Sequence, residues 1–163
     1  FSSEQSWITS HCVKNPLWSF AIRFNDGKSI EPGTNISFVN GIFTNRGGKH
    51  VDYISELLVD KLGKLVGPEF NKKLLGDWVT ICLKASVVNP TFNSQTKEEL
   101  NTPVTKFGLL GSVAMECAIP ESFWTQIKNS PVLSQLKQVL ALSNQRILSK
   151  LDGSKKSKIK TRG

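Results

Sequence analysis

The sequence predicts an α/β sandwich: a four-stranded sheet with helices packed on one side. Three observations carry this. Period-2 alternation of apolar residues recurs in separated segments, an amphipathic helical pattern lies between two of them, and helical periodicity takes over toward the C-terminus. The 163 residues, 39% hydrophobic and 21% charged, suit one domain with its own core.

The elements follow in order. In residues 18–24, Trp18, Phe20, Ile22 and Phe24 fall on one face, the signature of a half-buried strand. Asn25-Asp26-Gly27 reads as a turn, because Asn and Gly tolerate positive φ. Residues 36–43, rich in β-branched and aromatic side chains, form a second strand that Arg46-Gly47-Gly48 breaks. Val51, Ile54, Leu58, Leu62 and Leu65 then recur at spacings of three and four, so they share one helix face. Asp60 and Lys64 form an i,i+4 pair, and Gly67-Pro68 stops the helix. Val79, Ile81, Leu83, Ala85 and Val87 alternate as a third strand, closed by Asn89-Pro90, and a polar loop runs on to about Phe107. Residues 112–118 read as a fourth strand, and two helices finish the chain. The last has Ser130 as N-cap and Pro131 at its first position, with Leu133, Leu136, Leu140, Ile147 and Leu151 as its apolar stripe. The general rule for strand–helix–strand crossovers makes the unit over residues 36–88 right-handed.

Composition narrows the function classes. No stretch approaches the roughly 18 apolar residues of a membrane span, so no membrane role is expected. The first residues lack the basic start and apolar run of a signal peptide, and read as the edge of a longer protein. Cys12, Cys82 and Cys117 are far apart and show no C-x-x-C spacing, which predicts reduced thiols and no zinc site. Asn35-Ile36-Ser37 fits a glycosylation acceptor, a pattern common by chance. Of the net charge of +8, residues 150–163 supply +5, from six basic residues against Asp152. Such a tail reads as a mobile linker or a phosphate-binding arm, and permits nucleic acid as a partner.

Signals for self-contained catalysis are missing. Gly47-Gly48-Lys49 is a near miss to a phosphate-cradling loop: His50 stands where a magnesium-binding Ser or Thr belongs, and Phe43 replaces the first glycine. His50 has two readings, an anion ligand at a helix start or a structural residue bonded within its own turn. The outstanding feature is the polar loop Asn89-Pro90-Thr91-Phe92-Asn93-Ser94-Gln95-Thr96-Lys97-Glu98, which leaves a buried strand with a rigid base and a projecting tip. Lys97 carries a compact charge with three donors, suited to a terminal phosphate, and Gln95 adds an amide donor.

That loop resembles the Q-T-K loop in the transducer domain of eukaryotic-type (type IIA) DNA topoisomerase II. Upstream, Ile36-Ser37-Phe38-Val39-Asn40-Gly41-Ile42 and Gly47-Gly48-Lys49-His50-Val51-Asp52-Tyr53 resemble the family's second strand and G-G-x-H helix start, in the same order, and Lys106-Phe107-Gly108 also fits. The match covers residues 35–108. The resemblance implies a transducer-type sandwich with a left-handed crossover, spanning residues 1–150, and a basic linker at 151–163 toward a DNA-cleavage core. It further implies an upstream GHKL-type ATPase domain that holds ATP and Mg2+. Gln95, Thr96 and Lys97 would then reach the γ-phosphate, with Lys97 in the catalytic role. The expected partners are double-stranded DNA, those two domains of the same polypeptide, and a second copy in a homodimer. Cellular members carry a lysine-rich loop where this chain reads Leu65-Val66-Gly67-Pro68-Glu69. Lys72 and Lys73 lie nearby, and they join Lys155, Lys156 and Lys158 as the DNA-contact candidates. These departures point to an outlying member, as from a large DNA virus, which places it in the host cytoplasm or nucleus; a cellular member is nuclear. The alternative from another class is a freestanding nucleic-acid-binding domain that acts through its basic tail.

Overall fold

The computed structural model describes residues 7–12, 15–25, 35–107 and 119–160, with only the backbone at 15–16 and 154–160. Its strands are β1 (Ile8–Cys12), β2 (Asn15–Phe24), β3 (Ile36–Val39), β4 (Ile42–Phe43) and β5 (Val79–Ala85). Its helices are α1 (Lys49–Val66), α2 (Lys72–Trp78), α3 (Glu121–Asn129) and α4 (Val132–Lys160). The strands form one sheet in the order β1-β2-β5-β3-β4. Only β3 and β5 run parallel, joined across α1 and α2, and the other pairs are antiparallel.

The fold is thus the predicted α/β sandwich with five described strands rather than four. The run over residues 36–43 is not one strand: Asn40 (φ 50°) and Gly41 (φ 80°) turn the chain tightly, so β3 and β4 fold into a hairpin. β1 escaped the periodicity because Thr9, Ser10 and His11 offer no apolar alternation. Its pairing with β2 is what makes it a strand. The expected strand at 112–118 lies outside the described residues.

Alternation on β2 and β5 directs one face of the sheet inward. Trp18, Phe20 and Ile22 meet Ile81, Leu83 and Ala85 on that face, and all six are buried. The helices cover it. Phe123 of α3 packs edge-on against Phe20 at 5.3 Å, Tyr53 of α1 meets Trp18 at 6.4 Å, and Trp78 of α2 stacks on Phe24 at 5.9 Å. The opposite face carries Lys84, Ile36 and Phe43 and stays open.

Helix α1 begins and ends as expected, with Ile54, Leu58 and Leu62 buried and the Gly67 N–H closing on the Gly63 carbonyl. Helix α2 went unforeseen because seven residues are too short for a periodic signal. Its start is nonetheless capped by Asn71, whose side chain accepts from the Leu74 N–H. Helix α4 starts one residue later than expected: Pro131 offers the carbonyl that takes its first bond, while the Ser130 hydroxyl donates to Ile127 and finishes α3. Its stripe divides, with Leu136 and Leu140 buried but Ile147 and Leu151 exposed, and its backbone stays helical through Lys160. Cys82 is free, whereas buried Cys12 is disulfide-bonded, so the expectation of reduced thiols fails there. No helix among the described residues is long and apolar enough to cross a membrane.

Candidate functional site

The loop that follows β5 is anchored at both roots. Past the last ladder residue, Ala85, side chains take over from the sheet: Trp18 Nε1 donates to the Ser86 carbonyl at 2.8 Å. Asn40 holds Val87 on both sides, accepting from its N–H at 2.9 Å and donating to its carbonyl at 2.8 Å. Asn89, at φ 48°, then turns the chain outward.

The returning root is stitched to the start of α1. The Arg46 N–H donates to Glu98, the Lys49 N–H to Leu100, and the Leu100 N–H to Gly47. Leu100 is buried, and Gly48 passes so close to it that a Cβ at Gly48 would collide with the Leu100 backbone. Glycine at 48 is required twice over, since its φ of 130° also disfavours any side chain. Between the roots, Thr91 bonds Thr102 and Asn101, and Asn93 bonds Glu99.

What remains is a tip at residues 93–97. Gln95, Thr96 and Lys97 are all exposed, as the sequence led us to expect of a projecting tip. The Thr96 hydroxyl lies 2.7 Å from that of Ser94, and the Lys97 N–H closes a turn onto the Ser94 carbonyl. Lys97 sits at φ 56°, a left-handed conformation that costs a non-glycine residue roughly 1–2 kcal/mol. Its ammonium stands 5.9 Å from the Phe92 ring centroid, and no carboxylate pairs with it among the described residues. The tip therefore offers donors and an uncompensated positive charge, which suits phosphate oxygens and repels a metal cation. Among the described residues no group of His, Cys, Asp and Glu is placed to hold a metal ion.

His50 takes the structural reading. It is fully buried, with Nε2 3.2 Å from the Thr44 hydroxyl. The Thr44 hydroxyl also lies 3.0 Å from the Ser37 carbonyl and 2.6 Å from the Ser37 hydroxyl, and His50 Nδ1 has no hydrogen-bond partner among the described residues. Burial lowers the His50 pKa to about 4, and Asp52 only partly opposes this. A neutral, buried imidazole is no anion ligand.

The DNA-contact candidates are dispersed. Lys72 is committed to Asp52 of α1 at 2.8 Å. Lys73 lines a groove of about 920 Å³ between α2 and α4, with Asp77, Trp78 and Arg146. Lys155, Lys156 and Lys158 fall on the last turns of α4, where side chains lie outside the described residues. Asn35, the glycosylation acceptor by sequence, spends its side-chain oxygen on the Ile81 N–H. Sequence reasoning passed over Asn40 and Trp18 as supports of the loop. The Asn40-Gly41 pair was the available signal, since it marks a hairpin turn beside β5.

The sequence signature of the DNA gyrase B family matches residues 4–159, nearly the whole chain. The chain belongs to that family. It is 33% identical over 158 residues to the DNA topoisomerase 2 of Meyerozyma guilliermondii, covering 92% of this chain and 11% of that protein. Against the DNA topoisomerase 2 of Saccharomyces cerevisiae the identity is 32% over 149 residues, or 89% of this chain and 10% of the relative. The chain thus spans about a tenth of the length of these relatives. Its fold is similar to the ATPase region of Saccharomyces cerevisiae topoisomerase II, with TM-score 0.67, 28% identity and coverage of 85% of this chain and 34% of that one. The ATPase and transducer domains of DNA topoisomerase II from Balamuthia mandrillaris share the fold at TM-score 0.64 and 24% identity, over 85% of this chain and 35% of that one.

Proposed function

We propose that this chain is the transducer module of an ATP-dependent type II DNA topoisomerase. In this reading its Gln95-Thr96-Lys97 loop meets the γ-phosphate of ATP held with Mg2+ by an ATPase domain of the same polypeptide. The observation that carries it is the exposed tip of residues 93–97, which bears the Lys97 ammonium and no carboxylate, projecting from roots bonded to the start of α1 and the end of β5. The similarity to an ATPase region, of which this chain matches about a third, supports it.

The roles follow from the chemistry of each side chain. Lys97 stabilises charge that shifts onto the terminal phosphoryl oxygens during transfer, acting by electrostatics rather than by moving a proton. Gln95 and Thr96 add neutral donors that orient the same group. Once engaged, the tip pulls on Glu98 and Leu100, which are bonded to residues 46–49. Helix α1 packs on α4, and residues 145–153 of α4 are exposed beyond that contact, so the strain has a contiguous path outward. The relay's destination is a DNA-cleavage core, and the full assembly is a homodimer acting on double-stranded DNA in the nucleus, or in an infected cell for a viral enzyme.

The test is Lys97→Ala in the full-length enzyme. Loss of one electrostatic donor is expected to lower kcat about 10²–10³-fold, with KM for ATP changed little because the other domain holds the rest of the nucleotide. Plasmid relaxation should fall in step, while ATP-independent DNA cleavage survives. Near-normal kcat would overturn the reading.

A further inference from the structure

We infer that Asn40 is a positioning residue for the phosphate-contacting loop, acting through Val87; this rests on the function proposed above. Strand β5 ends its ladder with β3 at Ala85, and the chain runs on through Val87 before it turns at Asn89. Nothing in the sheet ladder fixes those added residues. The Asn40 side chain does so by forming a two-point amide clamp on Val87, with bonds of 2.9 Å and 2.8 Å, while its own N–H donates to Ala85 at 3.0 Å.

Both the side chain and the backbone of Asn40 are specialised for this. At φ 50° the position accepts Asn, Asp or Gly at little cost and most other residues only under strain. Asn-Gly is itself a preferred hairpin pair, so the turn accounts for the backbone of Asn40, and the two side-chain bonds to Val87 are what it adds beyond turning. Only an amide presents a donor and an acceptor in the spacing of a backbone peptide, so Asn40 acts as a short piece of strand appended to β3. Lys97 lies ten residues beyond Val87, on a tip whose far root is fixed separately at Leu100. Without the clamp the near root keeps the Trp18 bond to Ser86 and the cross-loop bonds of Thr91 and Asn93, so the tip shifts on a looser base rather than swinging free. A displacement of about 1 Å at the ammonium is enough to cost up to about 10²-fold in rate.

Asn40→Gly separates the clamp from the turn, because it keeps the positive φ and deletes only the two side-chain bonds. In the full-length enzyme it is expected to lower kcat for ATP hydrolysis about tenfold to a hundredfold, with KM for ATP within about threefold, since nucleotide affinity is uniform binding supplied elsewhere. Asn40→Asp keeps the acceptor for the Val87 N–H and loses the donor, so an intermediate kcat is expected; it also carries the test if the glycine variant fails to fold. The decisive arm is the double variant Asn40→Gly/Lys97→Ala. If Asn40 works by placing Lys97, the double variant turns over no more slowly than Lys97→Ala alone, because residues that act as a unit are non-additive. Losses that multiply, or a kcat untouched by either Asn40 variant, would overturn the inference. An intact kcat in Lys97→Ala alone would instead overturn the reading of the loop on which it depends.

Discussion

His50 has no exposed surface, and its pKa is pushed down to about 4 because burial disfavours the imidazolium more than Asp52 favours it. The unfolded chain takes up that proton near pH 6.5 and the folded one only near 4, so the folded state binds fewer protons between those values. Stability from this residue is therefore complete above pH 6.5 and declines as the pH falls toward 4, by up to about 3 kcal/mol. In His50→Gln, which keeps a polar partner for Thr44, the fall in urea midpoint between pH 7 and pH 4 should shrink relative to the unaltered protein. An unchanged pH slope would mean that His50 takes up its proton at the same pH in the folded and the unfolded chain. Lys97 is the counter-example at the same scale: its charge lies in solvent, and its value depends on what the tip meets.

Between residues and the whole, the element that organises the site is the seam of Gly47, Gly48 and Lys49 against Leu100. Gly48→Ala would drive a Cβ into the Leu100 backbone and force a left-handed alanine, which together should cost about 2–5 kcal/mol in denaturant unfolding. Amides at residues 98–100 should exchange faster in hydrogen-exchange measurements. A variant of unaltered stability would show that the seam yields easily. The sequence disclosed the elements with strong periods, such as α1 and β5, because burial of one face imposes a period that single residues reveal. It concealed β1, whose partner on β2 is what stabilises it, and α2, which is too short. The β3–β4 hairpin was legible in Asn40-Gly41, but a run of β-branched and aromatic residues masked the turn. The loop itself was readable as a tip on a rigid base. Its attachment to α1 was not, because backbone bonds between segments fifty residues apart leave no mark on composition.

At the scale of the whole molecule, the sequence gives a sandwich of the right class from its alternations, and the strand–helix–strand unit over residues 36–88 anticipates the parallel β3–β5 pair. The full strand order follows from pairings between distant segments. The charge is concentrated toward the end of α4, and Lys72 is already paired with Asp52. DNA binding by the 163-residue chain should therefore be weak, independent of sequence and carried by the tail. Truncation after Gly153 removes five basic residues, and the log–log salt slope should flatten by about 0.9 for each lost phosphate contact. An unchanged slope would place the contacts on the globular body, with Lys73 first. The relay reading depends above all on whether the tip at residues 93–97 engages the terminal phosphate. Hydrogen exchange of residues 91–101 in the full-length protein, compared between a non-hydrolysable ATP analogue and ADP, measures that engagement most directly. Slower exchange with the analogue but not with ADP is the expected result, and equal exchange in the two states would contradict it.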